Sequence, residues 1–192
     1  MDVCWSAQPG SKMFASAGSK HIKFWDLASK ECKKGIFGGK GEQTSFACVT
    51  ADDQGMFYTG GCNSQIYAWK DRQCQGTLSA HKGGFICSIR WVKGTLYSGG
   101  KDGNVVISDC ASMSVKNSIS FNNLIRAIDV KDINMLVGLR NGTINHCPID
   151  GSNPKILMES HSEGEAWGLT SCGPNMIATS GDDNKIKFWD IT

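Results

Sequence analysis

Proline is almost missing, at 4 of 192 residues, and so is any excess of one charge: 20 Lys and Arg against 18 Asp and Glu leave a formal net charge of +2. So small an imbalance gives no whole-molecule field to draw in nucleic acid or a membrane surface. No apolar run reaches the about 18 residues that a membrane-crossing helix needs. The opening MDVCWSAQPG lacks the apolar core of a secretory signal. Helical periodicity of useful length is absent throughout. The nine cysteines, at 4, 32, 48, 62, 74, 87, 110, 147 and 172, are odd in number and contain no C-x-x-C pair. Several sit inside apolar runs such as FICSI, which reads as reduced thiols acting as small core residues in the cytosol. These absences argue against a visibly secreted, membrane-spanning or helical protein.

Glycine is plentiful instead, at 23 residues, which suits many tight turns between short strands in one domain. The charge is also unevenly placed. Residues 1–40 hold seven Lys against three acids, and the remainder holds thirteen Lys and Arg against fifteen acids. Lys30, Lys33, Lys34 and Lys40 lie in or near ASKECKKG. A solvated loop face is the plain reading of that excess, and a contact for an acidic partner is the functional one.

Five segments share one outline: KMFASAGSKHIKFWD, GMFYTGGCNSQIYAWK, TLYSGGKDGNVVISD, NMLVGLRNGTINHCP and NMIATSGDDNKIKFWD. Their anchor positions are Trp25, Trp69, Ser108, Cys147 and Trp189, separated by 44, 39, 39 and 42 residues. Each unit has an apolar strand, a Gly-rich turn and a second strand, with Asp-Gly in YSGGKDGNVVIS as a strong hairpin signal. A short strand precedes each hairpin (DVCWS, SFACVT, FICSIRW, IRAIDV, AWGLTS), and a less regular one follows it, as in CQGTLSA and SVKNSISF. A period near 41 residues with four strands per unit resembles WD40 repeats, the blades of a β-propeller. The fold expected is therefore all-β, with approximate repeats 1–43, 44–82, 83–121, 122–162 and 163–192. The chain begins on an innermost strand and ends after a third one, so the count is four complete blades plus three strands, an open arc of a larger propeller.

Such blades are often locked by a buried relay of His, Ser or Thr, Asp and Trp, each needing a partner because an unpaired buried polar group costs about 1–3 kcal/mol. His161, Thr179, Asp183 and Trp189 supply the set in the last repeat, and His81, Ser98 and Asp102 supply three members in the third, where Ser108 replaces Trp. The second keeps Thr59, Asn63 and Trp69; the first has Trp25 and Ser16 with a turn one residue short; the fourth has almost nothing. Read as a nucleophilic triad, these residues fail, since the hydroxyl sits within a strand and no Gly-rich elbow surrounds it. GIFGGKGEQ lacks phosphate-loop spacing, and His146 beside Cys147 has no second ligand pair for zinc. Asp182 belongs to the turn before Asp183. The NGT at Asn141 is a glycosylation sequon in spelling only. Phe85, Trp91 and Trp167 read first as core packing between blades, with the rim of a central channel as the alternative. No catalytic residue, metal or cofactor is expected.

Particular wording goes beyond a generic repeat. KHIKFWDL, KKGIFGGKGEQTSFACVT, GGCNSQIYAW, AHKGGFICSIRWVKGTLYSGGKDGNVV and SHSEGEAWGLT resemble, in order, consecutive blades of echinoderm microtubule-associated protein-like proteins. The resemblance covers nearly the whole chain, and LIRAIDVKDINMLVGLRNGTI resembles the degenerate blade found at that point in the family. It implies the second part of the first of two joined propellers, without the family's hydrophobic motif, coiled coil or second propeller. It also implies a non-catalytic scaffold of the cytoplasm and cytoskeleton that binds tubulin or microtubules and influences their assembly. A general WD40 interaction module, such as a substrate receptor or signalling scaffold, is the alternative. Other proteins, including missing blades of the same propeller, are the expected partners, with no nucleic acid and no membrane.

Overall fold

The computed structural model describes residues 2–159 and 165–190. Its strands fall into five antiparallel sheets. The first holds β1 (Asp2–Trp5), β2 (Met13–Gly18), β3 (His21–Asp26) and β4 (Glu31–Lys34). The second holds β5 (Phe46–Ala51), β6 (Phe57–Gly61), β7 (Gln65–Lys70) and β8 (Gln73–Ser79). The third holds β9 (Ile86–Val92), β10 (Thr95–Gly100), β11 (Asn104–Asp109) and β12 (Ser114–Ser120). The fourth holds β13 (Ile125–Lys131), β14 (Asn134–Leu139), β15 (Thr143–Pro148) and β16 (Lys155–Glu159). The fifth holds β17 (Ala166–Gly173), β18 (Met176–Gly181) and β19 (Ile186–Asp190). Each sheet is a meander in chain order, as short strands joined by tight turns dictate. The turn between β10 and β11 shows why its glycine is needed: Gly103 has φ +76, and a Cβ there would lie 2.7 Å from the Phe121 carbonyl oxygen.

Successive first strands lie beside one another, β1 by β5, β5 by β9, β9 by β13 and β13 by β17, so the sheets radiate from a common axis. The core is divided between them. One face of each sheet meets the opposite face of the next: Ile22 and Phe24 pack on Phe46, Val49 and Trp69, Ile66 and Ala68 on Ile86 and Ile89, Val105 and Ile107 on Ile125, Ile128 and Val137, and Ile144 on Leu169 and Ile177. Phe37, from the loop after β4, enters the first junction and meets Trp69 edge-on at 5.2 Å.

Each junction is also tied at the axis by one bond from a side chain to the next first strand. Asp2 Oδ2 accepts from the Val49 N–H at 2.9 Å, Thr50 Oγ1 from Trp91 at 3.3 Å, Ser88 Oγ from Ile128 at 3.1 Å and Asp129 Oδ2 from Ser171 at 2.8 Å. By strand register Asp2 and Ser88 occupy one position, and Thr50 and Asp129 another two residues on, so the ties alternate. They satisfy amides on the inner edges of strands that have a neighbour on one side only.

The arc is not closed. Val3 is 68% exposed where its counterparts Val49, Ile89 and Ile128 are 3%, 0% and 0% exposed, and Ile186 is 69% exposed where Ile66 and Val105 are 0%. The free face of the first sheet and the free face of the last are thus built of residues that every other sheet buries.

Candidate protein-interaction face

Apolar residues three apart in a regular strand point to opposite faces. Phe46 and Val49 nevertheless share one core, as do Ile86 and Ile89, and Ile125 and Ile128. An extra residue between them reconciles the spacing. The register slips between Phe46 and Cys48, between Ile86 and Ser88, between Ile125 and Ala127, and between Ala166 and Gly168. Such a bulge re-aims the side chain that it leaves unpaired. Here those residues are Ala47, Cys87, Arg126 and Trp167, and all four line a cavity of about 330 Å³ on the axis, with Asp2, Cys48, Phe85 and Arg90.

The turns between second and third strands lie at the same end. Cys62 N–H donates to the Ser45 carbonyl at 2.8 Å, Lys101 to Phe85 at 2.9 Å, Arg140 to Leu124 at 2.8 Å and Asp182 to Glu165 at 3.0 Å. Each bond fastens a turn to the entry of its own first strand, so Lys101, Arg140 and Asp182 frame the bulged residues.

Around the cavity mouth the charges interlock with the rings. The Arg126 guanidinium lies 4.7 Å from the Trp167 ring and 6.0 Å from that of Phe85, and Lys101 Nζ also lies 6.0 Å from Phe85. Glu165 pairs with Arg126 through one carboxylate oxygen and with Arg140 Nε at 2.7 Å through the other. Asp182 accepts the Glu165 N–H at 2.8 Å and the Trp167 indole N–H. The Trp167 bond, then that from Glu165, holds the Asp182 carboxyl below the usual carboxylate range. Burial pushes the Cys87 thiol up to about 11, against the opposing pull of Arg126.

The relay hydroxyls lie on second strands and the Trp residues on third strands. His81 Nδ1 is 2.9 Å from Asp102 Oδ1, its Nε2 is 2.9 Å from Ser98 Oγ, and the Lys82 N–H reaches Asp102 Oδ2 at 3.0 Å. Burial raises the Asp102 carboxyl, but the bonds from His81 and Lys82 outweigh it and leave its pKa below the ordinary value. The Ser108 hydroxyl, where other sheets place Trp, is buried without a hydrogen-bond partner among the described residues. The Trp indole N–H donates to a strand hydroxyl in three sheets: Trp25 to Ser16 at 2.9 Å, Trp69 to Thr59 at 2.9 Å and Trp189 to Thr179 at 2.8 Å. In the second sheet Tyr67 takes up the space left by the missing His, accepting from Asn63 and donating to the Glu42 carbonyl. Asp183 accepts from the Lys185 N–H at 3.3 Å and lies 3.5 Å from Lys187 Nζ. His161 lies outside the described residues.

Lys30, Lys33, Lys34 and Lys40 are all exposed. Lys33 pairs with Glu31 at 2.6 Å and borders a crevice of about 310 Å³ that also carries Asp26, Asp71 and Arg72. Lys34 faces the other way, opposite Lys23. The four are therefore near in sequence but divided between two faces of β4 and its flanking turns. Trp91 packs against the second and third sheets, whereas Phe85 and Trp167 line the axis. His146 Nε2 is 2.8 Å from Asn134 Oδ1 and Cys147 is buried. Among the described residues no group of three or more His, Cys, Asp or Glu is placed to hold a metal ion, and no helix is long and apolar enough to cross a membrane.

The family model described as WD domain, G-beta repeat matches residues 72–109 and 153–190, which end at the third strands of the third and fifth sheets. This is a WD40 repeat protein. Its five sheets are WD40 blades, of four, four, four, four and three strands. It is 44% identical over 191 residues, 98% of its length, to ciliary WD repeat-containing protein ctxp80 of Euplotoides octocarinatus, and spans 26% of that protein. Protein DSE1 of Debaryomyces hansenii is 31% identical over 100 residues, covering 43% of this chain and 15% of its own. Among solved structures, the computationally designed Ika8 protein superposes on all of this chain and 58% of its own with a TM-score of 0.78 at 20% identity, a likeness of fold alone.

Proposed function

We propose that these WD40 blades form a non-catalytic, microtubule-associated scaffold of the cytoplasm and cytoskeleton. The observation that carries the reading is the 44% identity, over 98% of the chain, to a WD repeat protein whose name places it in cilia; cilia are built on microtubules. The likeness of AHKGGFICSI and HSEGEAWGL to echinoderm microtubule-associated protein-like blades supports it. The mechanism is a rigid face meeting the acidic surface of tubulin, with Lys30, Lys34 and Lys40 exposed to contribute and Lys33 partly spent on Glu31.

Co-sedimentation of the chain with microtubules tests this. Pelleting is expected at low ionic strength and is expected to fade as salt shortens the reach of exposed charges. Reversing Lys30, Lys33, Lys34 and Lys40 to Glu should reduce it. A chain that stays in the supernatant at low salt would remove microtubules as the partner. The second reading, a general protein-interaction module, is favoured by the bulged residues, which bring four dissimilar side chains to one cavity.

A further inference from the structure

The axial face holds charges of both signs, but it presents them differently. Its carboxylates are committed inward. Asp102 is taken by His81 and the Lys82 and Asn104 amides, Asp182 by the Glu165 amide and the Trp167 indole, and Asp129 by the Ser171 amide and Arg90 at 3.7 Å. The cations Lys82, Lys101 and Arg140 keep their side chains exposed at the same end of the third and fourth blades. Arg126 lies over the Trp167 ring, its guanidinium carbon 4.7 Å from the centroid, with Nη2 paired to Glu165. A guanidinium held in place between a ring and an ion pair is prepared for carboxylate recognition, because less side-chain freedom is lost when the partner arrives. Trp167 remains 53% exposed beside it.

The carboxylate that Arg126 and Arg140 now hold comes from the neighbouring blade. Glu165 spans both arginines, yet its backbone N–H is fastened separately by Asp182. Its side chain can therefore swing away without releasing the entry of β17.

We infer that this sector is a docking site for an acidic, extended segment of a partner protein, and that Glu165 occupies the place of one of that segment's carboxylates in the free chain. The inference rests on the reading of the chain as a protein-interaction scaffold, and it names the partner's chemistry. Incoming Asp or Glu side chains pair with Arg126 and Arg140, further acids meet Lys101 and Lys82, and intervening side chains lie on Trp167 and Phe85. A basic segment is repelled by the same four cations.

The test is fluorescence anisotropy with a fluorescein-labelled, acetylated hexaglutamate peptide at low ionic strength. Wild type should bind weakly and lose binding as salt rises. Glu165→Gln, which removes the competing charge, should bind at least about fivefold tighter. Lys101→Glu combined with Arg140→Gln should bind at least about tenfold weaker; both side chains are exposed, no second carboxylate is set against Glu165, and a thermal melt checks that the variant is folded. The variant with Lys30, Lys33, Lys34 and Lys40 reversed should bind hexaglutamate like wild type. No tightening in a folded Glu165→Gln, no weakening in the double variant, or tighter binding of a labelled dodecathymidylate than of hexaglutamate would each overturn the inference. Microtubule pelleting is scored separately: if it fails while hexaglutamate binding follows these expectations, tubulin is excluded as the partner and the site stands. If pelleting persists while Glu165→Gln and the double variant leave hexaglutamate binding unchanged, the scaffold stands and the site falls.

Discussion

Thr59→Val separates a buried relay bond from a half-buried one. Trp69 and Thr59 are both 0% exposed, and their N–H···O bond is 2.9 Å long. The indole is enclosed by Phe24, Phe37, Phe46 and Tyr67, with ring centroids 5.2 to 6.1 Å away, so no solvent can replace the lost acceptor. Valine keeps the shape of threonine and leaves the donor unpaired, at a cost of about 1–3 kcal/mol. At about 2–4 °C per kcal/mol for a chain of this size, a loss of about 2 kcal/mol lowers the melting temperature by about 4–8 °C. Ser16→Ala breaks the same bond to Trp25, also 2.9 Å, but that indole is only half-buried. Water can take over there, and a loss of about 0.5–1 kcal/mol is expected. Thermal melts followed by circular dichroism and urea midpoints measure both. Equal losses in the two variants, or a Thr59→Val shift below about 1 °C, would refute the claim that burial, rather than the bond itself, sets the cost.

Three further outcomes are expected. Because Asp102 ionises below its ordinary value in the folded chain, its contribution is present above about pH 4, the unfolded carboxyl range, and is lost as pH falls through the folded value; acid-unfolding curves of Asp102→Asn should therefore fall less steeply on that side. Gly99→Ala would put a Cβ 2.5 Å from Ile125 Cγ2, across the junction between third and fourth blades, and should lower the urea midpoint by the equivalent of about 1–3 kcal/mol. Gly76→Ala, with nothing within 4 Å, should leave it nearly unchanged. With its thiol at about 11, Cys87 should be alkylated by iodoacetamide at pH 7.5 much more slowly than exposed Cys32, as read by peptide mass spectrometry.

Much of the fold is legible locally. Period and turn glycines mark every sheet and Trp marks three of them, and Ser16 pairs with Lys23 where Thr59 pairs with Tyr67, which is the turn one residue short. The hydrogen-bonded set His81, Ser98 and Asp102 could be named because its members recur at fixed offsets within one repeat. The axial face could not be assembled that way, since its side chains come from different repeats and meet only when the sheets stack. One signal was present: Ile86 and Ile89, or Ile125 and Ile128, stand three apart in short strands, which only a bulge allows on one face. Asp182 was legible as a turn residue but not as the partner of Trp167, because that bond depends on the bulge. The lysines near the start are close in sequence, yet strand alternation sends Lys33 and Lys34 to opposite sides.

The bulge separates two demands that a plain strand would couple. In a regular pleat every side chain points to one or the other face of its sheet, and both faces are taken up by the junctions. With one residue set outside the pleat, Ala47, Cys87, Arg126 and Trp167 can differ in size and charge while the residues on either side go on packing alike. A single framework can thereby be given new binding preferences one blade at a time, at positions that lie outside the apolar junctions between sheets.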